Sequence, residues 1–465
     1  MTYPMSLHAT PRITTRPAVH GGFTNIPLHR PMASSRARPR LRVAVLIDLV
    51  RNPVAGGHVK AWERFAEAAT RFGEDLDLTV YYLGDEEGDL PLADHVRFRT
   101  IRPAFGTERI PFLKQGAGHT DLAGYNPSLA RHLADHDVLH ATSSFAFAKT
   151  AQLIARREGK PLISSIHTDV AKFAEVYAGE VLEKLVGHSL LSRWLIDSIG
   201  VPEISARNLA RTRDRILRAS DRILVSNQQD ERHVLSFMPA SRVSFLRRGV
   251  DKQLFSPARR DRAWLERAYG VPLEVPIVLF AGRVDQSKRV LTVAKAARRL
   301  IACGHRLHVI VCGEGSAKGE LEAMLETNLT LTGGVSQEEL ARLMASADLF
   351  VFPSESETVG NVVIEAKASG LPVVLTAHAT TMQILSAPGV DGLAAPDGSP
   401  EAYAETVKLL LDDPDLRRRI GRNARRTIET SWPDWSDVLA GDLLPVWRSA
   451  FDELASRSWP AARAA

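Results

Sequence analysis

Along most of this 465-residue chain, short apolar runs ended by glycine or proline alternate with stretches of helical period. Leu41 to Asp48 (LRVAVLID) reads as a buried first strand, and a loop with Gly56, Gly57 and His58 leads into a helix from Val59 to Phe72. Strands follow at Leu78 to Leu83, Val96 to Ile101, Val138 to Ala141 and Leu162 to Ile166, separated by helical stretches that include Ser144 to Arg157 and Val170 to Val186. Such alternation predicts a parallel α/β sheet, closing near Arg222 to Ser226 and Val243 to Leu246. A second series begins at Ile277 to Phe280 and runs through Leu307 to Val311, Leu329 to Leu331, Leu349 to Phe352 and Val373 to Leu375. Two Rossmann-like domains are therefore expected, at 41–246 and 247–430, with an amphipathic, aromatic last helix at 431–457 and tails at 1–40 and 458–465. Paired domains of this kind bind ligands in the cleft facing the carboxyl ends of their strands.

Charge sharpens the tail rather than the domains. No acidic residue precedes Asp48, whereas seven arginines do, so this segment carries +7 of charge, the remainder carries −2, and the net +5 of the chain is a property of its amino-terminal segment. Six prolines in the first 40 residues argue for disorder there, with organelle targeting or attraction to anionic lipid as the alternative uses of the arginines. Cys303 and Cys312 are the only cysteines, too few for a disulfide framework, which points to a reducing, cytoplasmic setting. No uncharged apolar run is long enough to span a bilayer.

The chemistry concentrates in Pro353 to Ala366, where Glu357 precedes a glycine break and Glu365 lies in the helix after it. A helix entered through Gly360, Asn361 and Val362 presents free N–H groups and a positive dipole end, suited to a diphosphate. The two carboxylates would repel that anion, so their targets are neutral hydroxyls beside it, on ribose and on a sugar. Upstream, Gly282 lets the backbone approach a ligand at the end of a buried strand, and Arg283 and Lys288 offer fixed positive charge for a leaving diphosphate. Asp75-Leu76-Asp77 and Asp413-Pro414-Asp415 have a metal-binding pattern but stand before a strand and between helices, so no metal is expected.

These segments resemble the Glu-x7-Glu signature and the Gly-Arg…Lys motif of retaining, family 4 (group 1) type glycosyltransferases of the GT-B fold, and the resemblance extends over roughly residues 41 to 455. It implies two Rossmann-like domains facing a cleft, a C-terminal helix crossing back to the first domain, and a nucleotide diphosphate sugar as co-substrate with no cofactor. It assigns Glu357 to the donor sugar, Glu365 to the ribose, and Arg283 and Lys288 to the diphosphate. Gly282, Gly313, Glu314, Gly360, Asn361 and Val362 would line the donor. The resemblance also matches Gly56, Gly57 and His58 to a glycine loop near donor and acceptor. His167, ending a strand within His167-Thr168-Asp169, suits a neutral imidazole that donates to a sugar hydroxyl. One departure stands out: where the family usually reads Gly-Gly-x-x-Glu after the strand 373–375, this chain has Thr376 to Gln383.

On this reading the enzyme moves a hexose from a UDP- or GDP-sugar to a hydroxyl on a lipid or cell-envelope glycan. The segment after His167 is nearest in motif to bacterial mannosyltransferases and to sulfolipid or glycolipid synthases. Apolar and basic positions between Leu182 and Arg218, including Arg207, Arg211, Arg213, Arg215 and Arg218, could rest on the anionic inner face of the plasma membrane; an ordinary packed helical pair explains them as well. The rival classes are a GT-B nucleotide-sugar epimerase or hydrolase, whose acid and base carboxylates find no clear counterpart, and a noncatalytic sugar-nucleotide binder. A nucleic-acid role is not expected, because the basic tail lacks interleaved aromatics.

Overall fold

In the computed structural model the described residues are 39–52, 55–106, 120–167, 201–355 and 357–458. The helix expected at 170–186, Thr168, Asp169 and residues 1–38 and 459–465 of the two tails lie outside them. The side chains of 201–206 do as well, so the apolar part of the basic segment does too.

The first sheet holds eight strands in the order β3-β4-β2-β1-β5-β6-β7-β8. In chain order they are β1 (Leu41–Val50), β2 (Leu76–Leu83), β3 (Gly88–Ala93), β4 (Val96–Ile101), β5 (Val138–Ala141), β6 (Leu162–Ser165), β7 (Arg222–Val225) and β8 (Val243–Phe245). All pairings are parallel except β3 with β4. β3 was not foreseen in the sequence. Its GDLPLA is exposed or half-exposed throughout and contains Pro91, which an edge strand tolerates because one side needs no ladder bonds.

The second sheet is all parallel in the order β11-β10-β9-β12-β13-β14, with β9 (Ile277–Ala281), β10 (His308–Cys312), β11 (Leu329–Gly333), β12 (Leu349–Phe352), β13 (Val373–Thr376) and β14 (Leu393–Ala395). Its central strands are buried along their whole length, as the continuous apolar runs require when helices cover both faces.

The end of the chain returns to the first domain. Val438, Leu439, Leu443, Trp447 and Ala450 share one core cluster with β1, β2 and the helix Gly57–Ala69. The joint is tight at Gly249, where a Cβ would lie 2.6 Å from the Trp435 backbone. Beside it Arg247 clasps Asp442 with its backbone N–H at 2.9 Å and its guanidinium at 2.7 Å.

Candidate active site

Both sheets direct their strand ends toward one region. After β9, Gly282 adopts φ +152° and the chain turns through Arg283 and Asp285 into the short 3-10 helix Gln286–Lys288. Asp285 shapes this turn: it accepts from Ser287 Oγ at 2.5 Å, caps the Lys288 N–H at 3.3 Å, and faces Arg283 Nε at 3.5 Å. Arg283 also donates to Ser287 Oγ at 2.6 Å. Lys288 reaches Glu357, so one residue from each motif meets in a largely buried ion pair. Ser354 steadies the same carboxylate at 2.9 Å.

The helix Asn361–Ala368 starts from Gly360 at φ +90°, where a Cβ would lie 2.8 Å from Thr381. Asn361 Nδ2 lies 3.5 Å from the carbonyl of Gly57, at the start of the helix Gly57–Ala69. Neither helix has a side-chain cap. Two uncapped N-termini, one from each domain, thus face each other across the cleft beside Lys288, and their combined polarity favours an anion. Val362 packs on the second-domain core. Glu365, four residues into the helix, has its carboxyl pushed up to about 7 by burial, opposed by Arg64 from the first domain.

Gly313 and Glu314 take other roles in this structure. A Cβ on Gly313, at φ +139°, would lie 1.9 Å from the Gly282 carbonyl, so these glycines let two strand ends pack backbone on backbone. Glu314 is exposed, pairs with Lys318, and accepts from the Gly334 N–H at 3.3 Å. The segment that departs from the family pattern runs from β13 through the 3-10 helix Thr380–Ile384. It is tied down by the buried Lys367, which donates to the Ile384 carbonyl and to Asp391, both at 2.8 Å.

The first-domain wall was the less legible half. His167 follows β6, and its ring is held on every side. Trp62 Nε1–H donates to Nε2 at 3.2 Å, Arg248 Nη2 lies 2.9 Å from Nδ1, and Ser165 Oγ lies 2.8 Å from Nε2. His58 stacks on the ring at 4.4 Å between centroids, 3° from parallel, and its own Nε2 meets Thr142 Oγ1 at 2.9 Å. Ser165 Oγ continues to His140 Nε2 at 2.8 Å, and Trp447 of the crossover helix donates to His140 Nδ1 at 3.1 Å.

In this arrangement neither ring nitrogen of His167 is open to a sugar hydroxyl. Trp62 and Arg248 can only donate, and they approach opposite nitrogens of a ring that has one lone pair when neutral. Protonation would remove that lone pair. Burial acts in the same direction, joined at His58 and His167 by the Arg248 charge: His58 and His140 are pulled down to about 3, and His167 falls well below the usual imidazole range. His167 also bridges the domains through its backbone, since Thr358 Oγ1 donates to its carbonyl at 3.1 Å and Asn227 Nδ2 donates to the Thr358 carbonyl at 3.2 Å. Sequence reasoning gave no role to Trp62, His140, Ser165, Arg248, Thr358 or Trp447 here.

The Asp-x-Asp segments do ordinary work. Asp77 pairs with Arg97 at 3.2 Å, and Asp413 caps the helix Pro414–Ser431. Among the described residues no three His, Cys, Asp or Glu side chains gather closely enough to hold a metal ion, and no helix is long and apolar enough to cross a membrane.

Residues 261–427 match the family of glycosyl transferases group 1. The D-inositol 3-phosphate glycosyltransferase 1 of Catenulispora acidiphila is 30% identical over 354 residues, covering 73% of this chain and 78% of that relative. The sulfoquinovosyl transferase SQD2 of Arabidopsis thaliana is 28% identical over 304 residues, 64% of this chain and 54% of that protein. Among solved structures, the sucrose-phosphate synthase of Thermosynechococcus elongatus superposes with a TM-score of 0.63 at 18% identity, over 92% of this chain and all of the other. The Anabaena protein Alr3699/HepE, solved with UDP-glucose, gives 0.60 at 16% identity over 90% of this chain and all of its own.

Proposed function

The chain belongs to the group 1 glycosyl transferases, and from that premise we propose that it moves a hexose from a UDP- or GDP-sugar to an acceptor hydroxyl with retention of anomeric configuration. The GT-B fold is shared with the superposed glycosyltransferases. The observation that carries the reading is the meeting of Lys288 with Glu357 beside the opposed starts of the helices Gly57–Ala69 and Asn361–Ala368. In this reading the diphosphate sits between the two N-termini and takes Lys288 and Arg283 as partners. Lys288 then exchanges Glu357 for phosphate, which frees the carboxylate to accept from donor-sugar hydroxyls. Glu365 accepts from the ribose in its ionised form. That a neighbour of the same fold was solved with UDP-glucose supports a donor of this class.

The preferred mechanism is same-face substitution. The bond from the anomeric carbon to the phosphate oxygen breaks while the acceptor oxygen bonds that carbon from the same side, and the leaving phosphate takes the acceptor proton. Arg283, Lys288 and the helix N-termini stabilise the charge that develops on the diphosphate, so no metal is required. His167 serves as a neutral, fixed wall behind the donor sugar rather than as an acid. The test is a thermal-shift screen with UDP-, GDP- and ADP-sugars. One class raises Tm, since a ligand at about a hundred times its Kd stabilises by about 2.7 kcal/mol; no shift with any of them contradicts the donor assignment.

A further inference from the structure

Arg247 and Arg248 are neighbours with opposite surroundings. Arg247 is partly exposed and clasped by Asp442, whereas Arg248 is 4% exposed and, among the described residues, has no carboxylate against it. Its Nη2 faces a neutral imidazole, and its Nη1 is buried without a hydrogen-bond partner. Two acids around the cleft are engaged elsewhere: Glu357 holds Lys288, and Asp48 accepts from Ser143 and from the Phe147 N–H. A guanidinium cannot shed its charge at neutral pH, and burial lowers Arg248 only to about 10. A fixed charge buried without a counterion is costly to fold, and it persists where a ligand supplies the opposite charge.

The position of this charge limits the ligand. Arg248 is bonded to His167 at the end of β6, and His58 stacks on that ring, so it belongs to the first-domain wall. The proposed diphosphate cradle of Arg283, Lys288 and the helix Asn361–Ala368 is supplied by the second domain. Resting on the glycosyltransferase reading above, we propose that Arg248 forms an anion subsite on the first-domain wall and that the sugar acceptor places a phosphate, carboxylate or sulfonate there. Nη1 and the charge bind that group when the donor loop around Thr358 lifts from the His167 carbonyl. His58, His140 and His167 add no positive charge beside Arg248.

Inorganic phosphate is the probe, titrated calorimetrically into the full chain saturated with the nucleoside diphosphate that binds it. Phosphate binds the wild type in this state; Arg248→Met weakens it about ten- to hundredfold, Arg248→Lys retains part of it, and the surface variant Arg299→Ala leaves it within about threefold. Nucleoside diphosphate affinity is unchanged in Arg248→Met, and its Tm is no lower than that of the wild type, because an uncompensated buried charge has gone. Repeating the comparison with phosphatidylglycerol vesicles separates sources: loss of vesicle binding in Arg248→Met assigns the anion to a lipid headgroup, and loss of phosphate binding alone assigns it to a soluble acceptor. Phosphate that fails to bind the nucleotide-saturated wild type, or that binds Arg248→Met as well, overturns the subsite. A loss shared by nucleoside diphosphate and phosphate in Arg248→Met also overturns it, giving the charge to the leaving group instead. If no nucleoside diphosphate binds the wild type, the donor reading has failed, and the phosphate titration of the free protein and Arg248→Met still judges Arg248.

Discussion

Two cations are buried among the described residues, Lys367 within the second domain and Arg248 in the linker against the first-domain wall, and they are treated differently. Lys367, fully buried, donates to the Asp391 carboxylate, which also accepts from the Ser386 and Ala387 N–H groups at 3.0 and 3.1 Å. Every charge of that pair is answered inside the fold. Arg248 has no acid and one empty donor. A paired buried charge specifies structure, and an unpaired one implies a partner that is not part of the chain. The same division holds for the walls of the cleft, since the second domain balances Lys288 with Glu357 and Arg289 with Glu355, while the first carries a surplus.

The largest effect falls on the paired side. Asp391→Ala leaves Lys367 charged and alone in the core and should cost about 3–5 kcal/mol in denaturant unfolding, whereas the double variant Lys367→Met/Asp391→Ala, which removes both charges, should change stability by less than about 1.5 kcal/mol. Equal losses in the two variants would erase the distinction between structural and functional charge. Next comes Glu357→Gln: turnover of the nucleotide sugar should fall about a hundredfold, yet the sugar-free nucleoside diphosphate should bind at least as tightly because Lys288 is released. Weaker binding of the bare nucleotide would mean that Glu357 does not face the sugar.

The smallest effect is a pH dependence. Glu365 has a folded-state value raised to about 7, so the folded protein holds a proton there that the unfolded chain has lost, and its contribution to stability declines as pH rises from about 4.5 to 7. A ribose hydroxyl needs the ionised carboxylate, so nucleotide affinity should increase about tenfold between pH 6 and 8. Glu365→Gln should flatten that profile. An unchanged slope in Glu365→Gln would remove the ribose assignment.

The contrast also explains what could be read from sequence. The donor half is local: Gly282 to Lys288 and Glu357 to Glu365 each sit on one strand–turn–helix unit, so spacing alone brought charge, glycine and helix start together. The first-domain wall is assembled by topology. β1, β5 and β6 are sheet neighbours, and that adjacency sets Thr142, His140 and Ser165 beside one another before Trp62, Arg248 and Trp447 close in from a helix, the linker and the crossover. Nothing in the spacing of those residues signals a network. His167 illustrates the limit: its place at a strand end was legible, but the Trp62 and Arg248 groups that face its two ring nitrogens come from positions far away in the chain.

The central claim, that the cleft holds a nucleotide diphosphate through Lys288, is tested most directly by calorimetric titration of the preferred nucleoside diphosphate into the wild type and Lys288→Ala. The account predicts saturable one-to-one binding to the wild type and a loss of about ten- to hundredfold in the variant, with Tm in the absence of ligand little changed. Equal affinity in the two proteins would contradict it.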